Sequence, residues 1–490
     1  MEEENKVIVK LKKQPLKSER EEIMQEKKKK RVIIVACVLL FIVGVAIGSV
    51  SMYFLKNNVE TTTYSKLDEI KSYLKNVWLY RDDYEDIDTE LEDKAYYGMT
   101  SFDEDPYTTY MSSEELSSYA SSINMNYVGI GVSYNVNNFT IIRVYKDSPA
   151  ENGGLLAGDK ILKVDGESID GKTSDEVKSM VTGEEGTTVD ITVLRDGEEV
   201  TYTIVRGNVD NTVYATKEDG YVYLEIMSFG TNTGNECIKY LDEYKDESKI
   251  IIDLRNNTGG YEKAVQEVAG VFLGKDKVVM HKVYSKTNID TDYTISNAYY
   301  DNFKDIVILT NGSTASAAEV LTICLKEQHD NVTIVGKTTY GKGVMQTSYS
   351  LSDGSAIKVT TAYWTSPNEV SINKTGINPD VEVDQHPIMS ETIYTFDEDD
   401  SYAYDSVSNY VLIMQESLDY LGYDVDRTDG YFSKQTETAL NKFKADHNLD
   451  EDGVLDYKTY NEIYSVVAST NTSDTSKDNQ LMKAVEIING

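Results

Sequence analysis

The chain has 490 residues, with 48 Lys/Arg against 83 Asp/Glu, a formal net charge of −35, and three cysteines. So acidic a balance argues against nucleic acid as a partner. Cys37 lies in an apolar run and Cys237 and Cys324 in predicted helices, usage that does not describe a disulfide-built exoprotein.

Residues 1–31 carry 11 Lys/Arg against 7 Asp/Glu, and Val32–Leu55 is a stretch of 24 residues without a charge. That stretch is long enough to cross ~30 Å of hydrocarbon as a helix. Lys27-Lys28-Lys29-Lys30-Arg31 precedes it. The positive-inside rule then predicts a basic cytoplasmic tail (1–31), a transmembrane helix (32–55) and an exported remainder. The run exceeds the roughly 7 to 15 apolar residues of a cleaved signal peptide, and no small-x-small site follows, so an uncleaved anchor is expected.

Over 60–115, Leu67, Ile70, Leu74, Val77 and Trp78 recur at helical spacing and predict a helical arm. The pattern changes over 116–207. Gly129-Ile130-Gly131-Val132, Ser148-Pro149-Ala150 and Gly158-Asp159-Lys160-Ile161 come first. Val189, Ile191 and Val193 then alternate, Asp196-Gly197 marks a hairpin turn, and Val200, Tyr202 and Ile204 alternate again. This region reads as β-rich.

Residues 208–385 read as strand–turn–helix units in succession. Lys249-Ile250-Ile251-Ile252-Asp253-Leu254 is a buried strand, Arg255-Asn256-Asn257-Thr258-Gly259-Gly260 a turn, and Tyr261, Ala264, Val265, Val268, Ala269 and Phe272 a helical face. Ile306-Val307-Ile308-Leu309 is a second strand, followed by a helix through Ala317, Val320, Leu321, Cys324 and Leu325; Val332-Thr333-Ile334-Val335 is a third. Such alternation predicts an α/β core with a mainly parallel sheet and crossover helices, whose sites gather beyond the carboxyl ends of the strands.

Ser316 falls where the second strand gives way to its helix, and Lys342 sits in Tyr340-Gly341-Lys342-Gly343. A serine hydroxyl needs a base to become a nucleophile, and a buried lysine can be that base because desolvation disfavours its ammonium form. Backbone N–H groups of Gly259, Gly260 and Ala317 are the donors an oxyanion requires. Ser316-Ala317-Ala318-Glu319 is also a capping box, which needs no chemistry. Of the four histidines, His329 is too far along the same helix and His447 lies in a separate module, whereas His281 and His386 stay open as bases of a triad. No His-Glu-x-x-His helix or paired-cysteine pattern points to a catalytic metal.

Asp253 to Gly260, Gly312 to Glu319 and Tyr340 to Gln346 together resemble three signature blocks of the carboxyl-terminal processing, or tail-specific, proteases. The resemblance implies Ser316 as nucleophile, Lys342 as general base, Gln346 as its positioning partner and oxyanion donors at Gly259, Gly260 and Ala317, with no metal or organic cofactor. Thr258 departs from the usual proline, and an extra residue lies near His329-Asp330-Asn331. Residues 60–115 resemble the family's N-terminal arm. Such arms can dimerise, although a helical cap on one protomer explains the same periodicity. Residues 116–207 resemble a PDZ domain, inserted before the core, whose loop Gly129-Ile130-Gly131 would capture the carboxylate of a nonpolar polypeptide tail added as a strand.

Beyond an acidic linker (386–404), residues 405–465 repeat Asp429-Gly430-Tyr431-Phe432 with Thr436 as Asp452-Gly453-Val454-Leu455 with Thr459. They resemble the small helical peptidoglycan-binding domain of cell-wall enzymes. An EF-hand loop begun by Asn448, Asp450 and Asp452 ends in Thr459 where calcium needs a bidentate Glu. Over the tail 466–490, the stretch from Ala468 to Gln480 reads as flexible linker, followed by a short helical end. The expectation is a membrane-anchored serine endopeptidase on the outer face of a cell with a Gram-positive-type wall, acting on exported polypeptides. Its rivals are a catalytically silent PDZ and cell-wall adaptor and a wall-directed serine hydrolase. The latter's Ser-x-x-Lys turn is absent, since Glu319 stands in place of the lysine.

Overall fold

Strands that carry a continuous apolar run must be covered on both faces, and the core sheet shows how this chain meets that demand. The computed structural model describes residues 24–26, 28–30 and 62–490, apart from Asn126, Asn137, Asp210, Asn211 and Asn297. Six strands lie side by side in the order β1 (Val213–Glu218), β2 (Tyr221–Ile226), β3 (Lys249–Asp253), β4 (Asp305–Thr310), β5 (Val332–Gly336) and β6 (Val381–Glu382). β1 runs antiparallel to β2, and every later pair is parallel, so the mainly parallel core is present.

Alternate side chains along each strand face opposite sides. Ile250, Ile252, Ile306, Ile308 and Ile334 face helices α1 (Thr233–Glu243), α2 (Glu262–Leu273) and α3 (Ala317–Gln328), packing with Leu241, Val268 and Leu321. Ile251, Val307, Leu309 and Val335 face the other way. There they meet Leu481, Ala484 and Ile488 from Asn479–Asn489. The helix from Asn479 lies where a short helical end is expected, whereas the stretch after Ala468, expected as flexible linker, is helical to Ser473. The physical reason for the helix from Asn479 is the uncovered rear face of the sheet, which it closes.

A second sheet is antiparallel. Ala356–Thr365 pairs with Val344–Ser350, with Val278–Ser285 and, at its start, with Thr109–Met111. It carries the segment after Lys342 away from the core. Residues 127–209 form a β-rich domain around Ile141, Ile161, Val189, Ile191 and Ile204. The Asp196-Gly197 hairpin turn has positive φ at both residues, the geometry that suits the twist of the flanking strands. Arg143 of this domain reaches into the core, its Nη1 and Nη2 donating to the two oxygens of Glu225 at 2.5 and 2.7 Å.

The C-terminal module has its own core of Val411, Met414, Leu418, Phe432, Leu440, Phe443, Tyr460 and Ile463. Ile388, Ile393 and Phe396 join that core, so much of 386–404, expected as a linker, belongs to the module. Helix α4 (Tyr457–Ser473) completes the module with one face and meets the β-rich domain with another. Lys160 Nζ donates to Tyr457 Oη at 3.1 Å and to Asn461 Oδ1 at 2.8 Å, Asn135 donates to Tyr464 Oη at 3.1 Å, and Ser465 Oγ donates to the Gly158 carbonyl. Burial pushes the Lys160 ammonium down to about 8. The module is thus docked rather than tethered. Helix α5 (Asn479–Asn489) follows it back onto the core.

The chain divides into two compact units, Met1–Met99 and Thr100–Gly490. In the first, Thr62–Val77 and the helix from Ile87 are joined by Lys71 donating to Glu92 at 2.7 Å and Lys75 to Asp88 at 2.5 Å. The predicted transmembrane stretch Val32–Leu55 lies outside the described residues. Among the described residues no helix is long and apolar enough to cross a membrane.

Candidate active site

Ser316 stands at the carboxyl end of β4, as the residue before α3, with φ 55° and ψ −119°. A non-glycine residue persists in such a conformation only when its surroundings over-determine it. They do so here. Asn311 N donates to Thr314 Oγ1 at 3.0 Å, Thr314 Oγ1 donates to the Leu254 carbonyl at 2.8 Å, and Ala315 N donates to the Asn257 carbonyl at 2.9 Å. The serine loop and the glycine turn are laced into one unit.

Glu319, fully buried one turn into α3, organises the site. Its Oε2 accepts Ser316 N at 2.8 Å and Lys342 N at 2.9 Å, while Oε1 accepts Gly341 N at 2.7 Å and the Thr339 hydroxyl at 2.5 Å. One carboxylate therefore fixes the backbone of both Ser316 and Lys342. Only the first of these contacts is legible in the sequence, as half of a capping box; the others depend on the chain after β5 returning to the head of α3.

The Lys342 carbonyl accepts Trp364 Nε1 at 2.9 Å, and its Nζ lies 4.8 Å from the centre of the Tyr107 ring. Burial first, and then the nearby Lys358 ammonium, push the Lys342 ammonium below its ordinary range, with Glu319 opposing. Tyr107 itself is pushed up to about 12 by burial and its hydroxyl contact with Tyr340. Lys342 is thereby eased toward its neutral form.

Gly259 and Gly260 have φ of +107° and +147°. A Cβ on Gly259 would stand 2.8 Å from Ser316 Cβ, and one on Gly260 2.3 Å from the Phe229 carbonyl oxygen. The turn is held by Asn257, whose Nδ2 donates to the Ile226 carbonyl at 2.7 Å and whose Oδ1 accepts Gly259 N at 2.8 Å. Of the three expected oxyanion donors, Gly259 is thus already committed to Asn257. The N–H groups of Gly260 and Ala317 meet no acceptor among the described residues, so they are the donors left for an oxyanion. Thr258 does not prevent this lacing.

Gln346 lies on the strand that follows Lys342. Its Nε2 reaches Thr360 Oγ1 at 3.4 Å, and Thr360 in turn donates to Asp105 at 2.9 Å. The pairing register shifts between Met345 and Gln346, and such a bulge re-aims the side chains that follow it. The histidines are occupied elsewhere. His281 contacts Thr291 Oγ1 at 2.9 Å and the Pro367 carbonyl at 3.2 Å, and His386 contacts Asp419 in the module at 3.1 Å.

In the β-rich domain, the Ile130 and Gly131 carbonyls accept Ala150 N at 2.7 Å and Tyr145 N at 3.1 Å, which fixes the Gly129-Ile130-Gly131 loop. The N–H groups of Ile130 and Gly131 meet no described acceptor. The adjacent strand Val132–Tyr134 pairs only with Ile141–Val144 among the described residues, leaving its second edge open to an added strand.

Comparison with known proteins gives three family matches: peptidase family S41 over residues 220–383, a PDZ domain over 126–205 and a peptidoglycan-binding domain over 408–463. A "probable CtpA-like serine protease" of Staphylococcus haemolyticus is 34% identical over 403 residues, covering 80% of this chain and 80% of its own length. The carboxy-terminal processing protease CtpA of Bacillus subtilis is 30% identical over 432 residues, covering 87% of this chain and 90% of its own. Among solved structures, the photosystem II D1 C-terminal processing protease is 26% identical with a TM-score of 0.40, over 64% of this chain and 88% of that one.

Proposed function

The chain belongs to peptidase family S41 and is a carboxy-terminal processing serine protease with a PDZ domain, and from that premise we propose that Ser316 is its nucleophile and Lys342 its general base. The observation that carries this reading is the Glu319 carboxylate, which holds the backbone N–H groups of Ser316 and Lys342 on a single oxygen. A catalytically silent adaptor has no need of a buried carboxylate bridging these two positions.

In this mechanism neutral Lys342 takes the Ser316 proton as Oγ attacks the scissile carbonyl. The tetrahedral oxyanion forms against the Gly260 and Ala317 N–H groups at the head of α3, where the helix dipole favours negative charge. Lys342 then gives its proton to the leaving amine. Water repeats the sequence on the acyl-enzyme. Gln346, whose Nε2 reaches Thr360 Oγ1 at 3.4 Å, positions Lys342 from the strand that follows it.

The substrates are polypeptides. Their nonpolar carboxyl ends are held by the loop Gly129-Ile130-Gly131 along the open edge of Val132–Tyr134, and the chain behind is fed to Ser316. Val32–Leu55 anchors the protein with its catalytic part outside the membrane, and residues 408–463 hold it to peptidoglycan. The exposed Ile70, Tyr73 and Val77 of the arm supply an apolar surface for pairing of two copies.

The test is to incubate the full-length chain and its Ser316→Ala variant with an unfolded protein and to read product termini by mass spectrometry. Cleavage by the first and none by the second supports the assignment. Equal cleavage by both rejects it.

A further inference from the structure

We infer that Asp478, at the head of α5, is a positioning residue for the peptidase reaction: through Arg255 it fixes the Arg255–Gly260 turn against Ser316. The inference rests on the reading of Ser316, Gly260 and Ala317 given above.

Arg255 opens that turn, immediately beyond β3. Its Nη1 donates to Asp478 Oδ1 at 2.9 Å, and its Nη2 lies 2.8 Å from Asp478 Oδ2. On its other side, Nε donates to Asp253 Oδ1 at 3.0 Å and Nη2 to Asp253 Oδ2 at 2.6 Å. Two carboxylates therefore grip one planar guanidinium, a geometry that fixes orientation as well as charge. The Arg255 side chain is 14% exposed and that of Asp478 18%, so water screens the contact little. Burial pushes the Asp478 carboxyl up, but the hydrogen bond and charge of Arg255 outweigh it and hold the group below the usual carboxylate range.

The turn needs holding. Asn256, Gly259 and Gly260 all have positive φ, of 62°, 107° and 147°, and Asn256 and Asn311 exchange hydrogen bonds of 3.0 and 2.8 Å that tie the turn to the serine loop. Asp253 grips Arg255 from the strand that precedes the turn. Asp478 grips it from the opposite side of the contact, across 223 residues of sequence and outside every catalytic signature block. Displacing the guanidinium displaces the first residue of the segment that ends in the Gly260 donor, and small misplacements of catalytic groups cost rate steeply.

Asp478 also caps α5, accepting Leu481 N at 2.9 Å, and it accepts Gln385 Nε2 at 2.6 Å. Capping and charge can be separated. Asparagine caps a helix about as well as aspartate without its charge, whereas glutamate keeps the charge and is a poor cap.

The experiment compares full-length wild type, Asp478→Asn, Asp478→Glu and Ser316→Ala. It measures kcat and KM on a fluorogenic peptide with a nonpolar carboxyl end, the rate at which a fluorophosphonate probe labels Ser316, and thermal unfolding. A positioning role lowers kcat and labelling in Asp478→Asn together, by about 10- to 100-fold, with KM within about twofold and Tm close to wild type. Asp478→Glu then keeps most of the kcat although its Tm falls. A purely structural role gives the reverse: Asp478→Asn has wild-type kcat and labelling, and this result overturns the inference. Should Asp478→Asn not fold, Asp478→Ser decides, because serine also caps a helix without the charge: kcat and labelling per folded molecule lowered as above support the inference, and wild-type values overturn it. An active Ser316→Ala enzyme would remove the premise itself, whereas an inactive one beside a fully active Asp478→Asn leaves the premise and rejects only the role of Asp478.

Discussion

Glu319 accepts the backbone N–H of Lys342 at 2.9 Å on the same oxygen that accepts the backbone N–H of Ser316. The two groups assigned to the chemistry are thus referenced to a single side chain that itself takes no part in proton transfer.

Replacing that carboxylate by an amide turns one acceptor into a donor and leaves two buried N–H groups, or one N–H and a hydroxyl, without a partner. Each buried unsatisfied donor costs about 1–3 kcal/mol. Glu319→Gln is expected to lower Tm and to reduce kcat/KM at least about tenfold, because the Ser316 and Lys342 backbones lose their common reference. Wild-type kinetics in a folded Glu319→Gln enzyme would reject this role.

The Lys342 ammonium is depressed chiefly by burial. Activity, which requires the neutral amine, should rise with pH and level off above an apparent pKa lower than the ordinary value of 10.5. The same sign holds for stability. The folded state releases this proton at a lower pH than the unfolded chain, so the contribution of Lys342 to stability grows as pH rises between the folded and unfolded pKa values. Arginine stays charged throughout, so Lys342→Arg should be inactive at every pH. A pH–rate series on wild type and Lys342→Arg checks both points.

Gly259 tolerates no side chain. An alanine Cβ would stand 2.8 Å from Ser316 Cβ and 2.9 Å from Ala317 N, at a φ of +107°. Gly259→Ala should abolish activity and lower Tm, since the clash falls on the nucleophile and on a free oxyanion donor together. Calorimetry with single-turnover cleavage measures the two effects, and a fully active variant would show that the turn is far more pliable than its packing implies.

A chain truncated after Gln385 loses both the module and α5. Burial of Leu481 and Ile488 stabilises the core by about 1.5–3 kcal/mol each, and their removal exposes Ile251, Val307, Leu309 and Val335. The truncated protein is expected to bind hydrophobic dyes, to self-associate on gel filtration and to lose peptidase activity. The loss is that of α5, whose Leu481, Ala484 and Ile488 cover the sheet's rear face.

The site was legible where its residues are neighbours in sequence. Gly259-Gly260 after a strand and Ser316 before a helix announce themselves locally, and Lys342 stands between two glycines that close contacts with Thr375 and Asn373 explain. Glu319 was visible only as a cap, because its remaining partners arrive from beyond β5. The bulge before Gln346 cannot be read from alternation alone. The short helical end at α5 is legible, but not the face it covers, and Asp478 lies in the polar stretch before it. Yet Ile250-Ile251-Ile252 contained the clue, since a strand apolar on both sides needs two layers of cover and the neighbouring helices supply one.

The placing of the module between β6 and α5 also sets an order of assembly. During synthesis the strands and the catalytic turn emerge first, while the helix that covers the sheet's rear face and brings Asp478 to Arg255 follows only after the entire module has been made. Domains fold as they appear. Until that final helix arrives, the nascent core keeps an open apolar face and a turn gripped from one side alone. A protease built in this order has its working geometry completed late, after the parts that would bind it to the wall and to its substrates are already in place.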